Sequence, residues 1–281
     1  MFTMLQRNAC EIFGAMRAAA VLVVVAGWLA ACAGDEALYV EKSVETLYDE
    51  ALDALTDGRH SDAYRGFEEV ERQHPYSPWA TKAQLMAVYS YYAANKYDDS
   101  ILAATRFIQL HPGHRDIAYA YYIRAICDYE RIADVGRDQA VTQGALASLR
   151  DVSLRFPQTK YARDARLKID LALDHIAGKE MHIGRYYLIR GHYGAAINRF
   201  RRVIEADQTT THVPEALHRL TEAYLSLGVT TEAQAAAAVL GHNFPGSRWY
   251  ADSYALLTDT GLDEPARNEA SWISRTFGAV F

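Results

Sequence analysis

A chain of 281 residues, half of them hydrophobic and only seven of them proline, carries enough apolar material for a sizeable core, while 29 basic against 35 acidic residues give a formal net charge of −6. An acidic balance of this kind argues against nucleic acid as a partner. Strand-like alternation is scarce and alanine is abundant, so the composition points to an all-α protein.

The first 31 residues read apart from the fold. Arg7 and Arg17 precede an apolar run over 18–30 that ends in Leu29-Ala30-Ala31-Cys32. The run is too short and too near the N-terminus for a membrane-spanning helix, and small residues precede its end, so 1–31 reads as a signal peptide. Leu-Ala-Ala-Cys resembles the lipobox of bacterial lipoproteins, which implies that the Cys32 thiol carries a diacylglycerol and becomes the new N-terminus. A chance cysteine beside an ordinary cleavage site and an uncleaved inner-membrane anchor are the competing readings. Ala33, not aspartate, follows the cysteine, and by the same resemblance the destination is the outer membrane. Removal of 1–31 leaves 27 basic and 34 acidic residues, a net charge of −7. With Cys10 removed and Cys32 acylated, Cys127 stands alone, so no intrachain disulfide is expected. It lies in an apolar helical run and reads as a buried small hydrophobe. Residues 32–42 are the lipidated cysteine and a short tether.

From residue 43 the chain repeats itself. Ala83, Ala87, Val88 and Tyr91, then Ile101, Ala104, Phe107 and Ile108, recur at three- and four-residue steps on either side of Asn95-Lys96-Tyr97, which predicts two antiparallel amphipathic helices closed by Pro112. The same order of turn, small residue, apolar residue and proline appears at Gly58, Ala63, Phe67 and Pro75, and at Gly228, Ala233, Ala237 and Pro245. Gly191, Ala196 and Phe200 form a copy without its proline, and Ala145, Leu149 and Pro157 a stretched one. The small residues Ala63, Ser100, Ala145, Ala196 and Ala233 are spaced 37, 45, 51 and 37 apart. These are 34-residue helix-turn-helix units with insertions, the tetratricopeptide (TPR) pattern, in which the small residue admits the partner helix and the proline stops the second one. The expectation is a TPR-type helical solenoid of five repeats over 43–258 with a C-terminal capping helix.

Departures from the period are informative. The segment 132–145, with Gly136, Gly144 and alternating charges, reads as a solvated loop extending the third turn. Thr159 caps a helix of twice the usual length, apolar at Leu167, Leu171, Ile176, Ile183 and Tyr187, with Gly178 as a candidate break. Ser247 caps the final helix. The tail, 259–281, loses the period and is expected to be loosely held or disordered despite Trp272 and Phe277.

No glycine-rich phosphate loop, serine elbow or Cys-x-x-Cys pair is present, so the residues support neither an enzyme nor a cofactor site. His111 with His114, and His175 with His182, lack the spacing and convergent ligands of a zinc site. The side chains with most to offer are on the first helices of the repeats. Leu85, Tyr89 and Tyr92 share one face; Tyr122, Ile126 and Tyr129 occupy the same places 37 residues on, and Tyr48 and Leu52 extend the row into repeat one. Such a row suits an extended peptide, because each ring offers large area at low rotamer cost and keeps a hydroxyl for backbone groups. Two other readings stand beside it: the rings pack helix on helix, or they hold another segment of the same chain such as the tether.

The lipobox, the five repeats and the order of their turns resemble the BamD family, the TPR lipoproteins of the β-barrel assembly machinery of Gram-negative bacteria. The resemblance rests on ALDALTDGRHSDAYRGFEEVERQHPYSP in repeat one, RFIQLHPGH closing repeat two, Asp134-Val135-Gly136-Arg137-Asp138 in the insertion and YYLIRGHYGAAINRFRRV in repeat four, and spans residues 37–257. It leaves out the tail, and repeat four departs from it with Asp207-Gln208 where a closing proline is expected. It implies a non-enzymatic protein on the periplasmic face of the outer membrane. Such a protein binds unfolded outer-membrane proteins through their C-terminal strand, docks on the periplasmic POTRA domains of the barrel-forming subunit BamA and joins other lipoproteins of the machinery. The arginines of RGHYGAAINR match family arginines, which implies docking through Arg190 and Arg199. A periplasmic TPR adaptor for peptidoglycan enzymes is the alternative.

Overall fold

The computed structural model describes residues 41–206, 208–262 and 271–278. The signal segment 1–31, Cys32 and all of the tether but its last two residues lie outside them. Among the described residues there are twelve helices and no strand: α1 Val44–Thr56, α2 His60–Gln73, α3 Pro78–Ala93, α4 Tyr97–Leu110, α5 Ile117–Glu130, α6 Ala140–Arg155, α7 Lys160–Ile189, α8 Tyr193–Ala206, α9 Val213–Ser226, α10 Thr230–Asn243, α11 Arg248–Asp259 and α12 Trp272–Gly278. They pair in order as five helix hairpins, the TPR solenoid that the period predicts. No described helix is long and apolar enough to cross a membrane.

One turn is used again and again. Gly58, Gly191 and Gly228 sit at φ 74–76° and Asn95 at 58°, the left-handed region that a residue without Cβ, or a short amide, adopts most cheaply. At each, the next residue's N–H reaches five residues back (Arg59 to Ala54, Lys96 to Tyr91, His192 to Tyr187, Val229 to Tyr224) and closes the helix end. Gly261, at φ 75°, and the bond from Leu262 N–H to Leu257 carbonyl repeat the arrangement after α11, a fifth instance of this turn in a segment expected to have lost the period. The prolines Pro75, Pro157 and Pro245 are each followed two residues later by a hydroxyl cap. Ser77, Thr159 and Ser247 accept from the N–H groups of Trp79, Ala162 and Trp249, each at 3.2 Å.

The small residues do what their spacing predicts. Ala63, Ser100, Ala145, Ala196 and Ala233 are fully buried where the two helices of each hairpin cross, and Ser100 satisfies its hydroxyl by donating to the Val88 carbonyl at 2.9 Å. Four residues on, Phe67, Ala104, Leu149, Phe200 and Ala237 are buried as well, and each large member contributes about 1.5–3 kcal/mol of burial. First helices of successive repeats pack on one another (α1 on α3, α3 on α5, α5 on α7, α7 on α9, α9 on α11), whereas neighbouring second helices make no comparable contact. The first helices therefore form the inner, concave face.

Four expectations are corrected. The long helix α7 runs unbroken through Gly178, because a glycine costs only about 1 kcal/mol within a helix and here its bare face is occupied. A Cβ on it would lie 3.1 Å from His212 Nε2 and 3.7 Å from Val135 Cγ2. Val135 belongs to the insertion, and Lys179 donates to the Gly136 carbonyl, so this largely exposed loop is fastened to α7, and it ends at 139, because 140–145 are already the start of α6. Leu167 and Leu171, expected on the buried stripe, are 65% and 58% exposed: the stripe that α7 buries runs through Ala165, Ile169 and Ala172 to Ala177, and the two leucines lie off it. The tail, finally, is not loose where it is described. In α12, Ile273 and Phe277 are buried in the core of the last repeats.

Candidate peptide groove and docking surface

The predicted tyrosine row lies on the concave face of α1, α3 and α5, but its members differ. Tyr89 is the most accessible, 37% exposed, with its ring 6.3 Å from that of Tyr92. Tyr92, Tyr122 and Tyr129 are half-buried and lean on the core of Ala125, Leu149 and Ala165. Tyr122 is further held by donating to Asp164 on α7 at 2.7 Å, and Lys168 lies over the Tyr129 ring. Ile126 is 4% exposed and belongs to the core below the row, so it presents no surface to a ligand. Leu85 is half-buried. Tyr48 and Leu52 close the first repeat, with Tyr48 4.9 Å from Trp79 and 5.4 Å from Phe67.

Two tyrosines that sequence reasoning missed complete the patch. Tyr119 on α5 and Tyr161 on α7 are 5.6 Å apart, and Tyr161 is 5.1 Å from Tyr122, so three first helices contribute rings to one surface. A signal for Tyr161 exists: it follows Thr159 as Trp79 follows Ser77 and Trp249 follows Ser247, the aromatic two residues past the cap. Burial pushes the phenols of Tyr92, Tyr119, Tyr122 and Tyr129 above their ordinary range, with the Asp164 carboxylate adding to it at Tyr122. These hydroxyls stay protonated at neutral pH, and those of Tyr92, Tyr119 and Tyr129 can donate to peptide carbonyls, whereas the Tyr122 proton is committed to Asp164.

Arg190 and Arg199 are not brought together. Arg190 closes α7 beside the turn, exposed, with its guanidinium 4.7 Å from the Tyr186 ring centre. Tyr186 is 50% and Ile189 86% exposed, so the end of α7 offers an aromatic, an aliphatic and a cation side by side. Arg199 faces inward from α8 to Glu180, which stands ten residues before Arg190 on α7, ~15 Å along the helix. Glu180 also meets Arg202 at 3.8 Å, and beside this trio opens a cavity of about 380 Å³ lined by Leu173, Ile176, Ala177 and Val203. Nearby, Arg185 forks onto Glu215 at 2.9 and 3.2 Å and joins α7 to α9.

Two comparisons bear on what this arrangement is. The model of the YfiO family, described as an outer membrane lipoprotein, matches residues 40–257. A protein of Caulobacter vibrioides named outer membrane protein assembly factor BamD is 54% identical over 244 residues, which covers 85% of this chain and 80% of the relative. The chain belongs to the BamD family. BamD of Rickettsia prowazekii is 45% identical, covering 76% of this chain and 85% of its own, and BamD of Neisseria meningitidis serogroup A is 35% identical, covering 73% and 80%. The BamD family model thus takes in both the tyrosine patch and repeat four. It stops short of Gly261 and of α12.

Proposed function

We propose that this chain is a non-enzymatic assembly factor for outer-membrane proteins, held on the periplasmic face of the outer membrane by acyl chains on Cys32. In this reading the concave face of repeats one to three receives extended, aromatic-rich C-terminal strands of unfolded barrel proteins. Repeat four docks on the POTRA domains of BamA, with other lipoproteins of the machinery in the same complex. Family membership and the names of the relatives support the general role. The observation that carries the finer reading is the tyrosine patch shared by α3, α5 and α7, in which protonated hydroxyls stand among rings on a concave surface.

For docking, the end of α7 is favoured over Arg199, because Tyr186, Ile189 and Arg190 are exposed whereas Arg199 is already spent on Glu180. The test is a titration of a labelled C-terminal barrel peptide against wild-type chain and Tyr89→Ala, with thermal unfolding in parallel. Weaker binding at an unchanged melting temperature supports the groove; unchanged binding with a lowered melting temperature makes the rings packing only. A pull-down from solubilised outer membrane that returns a large β-barrel subunit supports the docking partner, and one that returns a murein enzyme instead overturns it.

A further inference from the structure

The last described helix is bound to the solenoid as a ligand is bound. Its seven residues are too few for a helix that stands alone in water. It packs on α10, the second helix of repeat five, and four segments hold it. From α9, Tyr224 Oη lies 3.1 Å from Trp272 Nε1, and from α10 the Glu232 carboxylate accepts from Ser271 Oγ at 2.7 Å. From the α8–α9 connection, Gln208 Nε2 donates to the Thr276 backbone carbonyl at 3.1 Å, and from α8 the Arg201 guanidinium lies 4.2 Å from the Trp272 ring centre. Ile273 and Phe277, four residues apart on one face, enter the core. The match of the family model takes in these receptor residues and ends at residue 257, before the helix that fills them.

We propose that the outer face of repeats four and five is a docking groove for a short amphipathic helix that presents a tryptophan and, five residues on, a phenylalanine, and that the chain's own tail occupies it in cis. The chemistry of the occupant follows from the groove. Arg201 and Tyr224 take an indole by its face and its N–H, the apolar floor takes the two residues one and five positions further, and Gln208 and Glu232 fix the ends of the helix. A partner helix with this pattern competes with the tail. This site shares no residue with the tyrosine patch and stands whether or not that patch binds peptide.

The experiment uses a fluorescein-labelled peptide of residues 268–281, titrated by anisotropy against the whole chain and against a chain ending at Leu262. The shortened chain is expected to bind at least tenfold tighter than the whole chain, and a Trp272→Ala peptide to lose at least tenfold on the shortened chain. Equal binding by the two chains, or no binding by a shortened chain that keeps its helicity and melting transition, overturns the proposal. If the shortened chain fails to fold, whole chain carrying Trp272→Ala and Phe277→Ala takes its place: peptide binding should rise over wild type, and no rise overturns the idea equally. A wild-type dimer that reverts to monomer in these variants would place the tail in a second copy and overturn occupancy in cis.

Discussion

The guanidinium of Arg199 on α8 reaches both carboxylate oxygens of Glu180 on α7, at 3.1 and 3.3 Å, and so ties the two helices of repeat four together. Arg199→Glu would set two carboxylates against each other in a place where the side chains are only 29% and 20% exposed. We expect a loss of about 1–2 kcal/mol, below the ~3–5 kcal/mol of a fully buried broken pair. Urea unfolding measures it, and the exchanged pair Glu180→Arg/Arg199→Glu should recover most of the loss. If the exchanged protein also recovers capture by POTRA domains, Arg199 acts within the repeat; if stability returns and capture does not, the arginine itself meets the partner.

Gly184 on α7 lies against Phe200. A Cβ there would come within 2.4 Å of the Phe200 ring, which is fully buried and has nowhere to go. Gly184→Ala should therefore destabilise by about 1–2 kcal/mol, an overpacking cost reduced by alanine's better helix propensity. Pairing it with Phe200→Leu should cost less than the two single changes added together, as a double-mutant cycle in urea would register.

Tyr89 and Tyr122 should separate binding from packing. Tyr89→Ala removes an accessible ring and is expected to weaken a bound peptide while leaving the urea midpoint within experimental error. Tyr122→Phe removes the hydroxyl that donates to Asp164 and should cost about 0.5–1.5 kcal/mol of stability. A reversed pattern would mean that Tyr89 is the structural ring.

His218 on α9 shares a 2.8 Å hydrogen bond with Ser253 on α11, and its ring lies tilted against that of Trp249, 5.3 Å between centres. Burial, and then Arg219, hold its pKa below the ordinary value, although Glu222, Asp252 and Glu215 pull the other way. The unfolded chain, titrating near ~6.5, takes up a proton that the native ring refuses, so stability falls as pH drops through that value and goes on falling until the native ring protonates. Thermal unfolding at pH of about 7.5 and 5.5 should show a drop that His218→Gln makes smaller.

Cys127 is fully buried, and burial pushes its thiol up to about 11. It should resist alkylation at neutral pH in the native chain and react fully in denaturant. Mass analysis after iodoacetamide gives the answer, and native labelling at a comparable rate would mean that the α3–α5 packing opens readily.

The solenoid was legible because its logic is local. Ala63, Ser100, Ala145, Ala196 and Ala233 lie at the same depth for the same steric reason, and Gly58, Gly191 and Gly228 announce turns that only a left-handed residue closes. What escaped the sequence depends on residues far apart along the chain. Nothing near Arg199 names Glu180, nineteen positions earlier, and nothing near Val135 names Gly178. The helix α12 is too short to show a period, and after Gly261 only the small residue Ala266 keeps the step of the other turns, with no proline to close the unit. In the tyrosine row, spacing placed Ile126 and Tyr129 on one face of α5, but a helix face spans more than the edge that solvent sees, and Ile126 falls inside.

Helix α7 serves two masters: its first turns finish the core of repeat three through Ala165, and its last turns begin that of repeat four through Ala177 and Met181. The consequence concerns birth order. As the chain emerges from its N-terminus, repeats one to three gain their closing element once roughly the first half of α7 is out, with more than a third of the protein still to come. They can fold then, as one-dimensional stacks do from any completed stretch. The later half has no such freedom, because its first helix is the continuation of one already fixed, and it must grow from that template outward. A chain ending near residue 175 should thus fold its front half on its own, and limited proteolysis of that fragment should leave residues 44–175 protected.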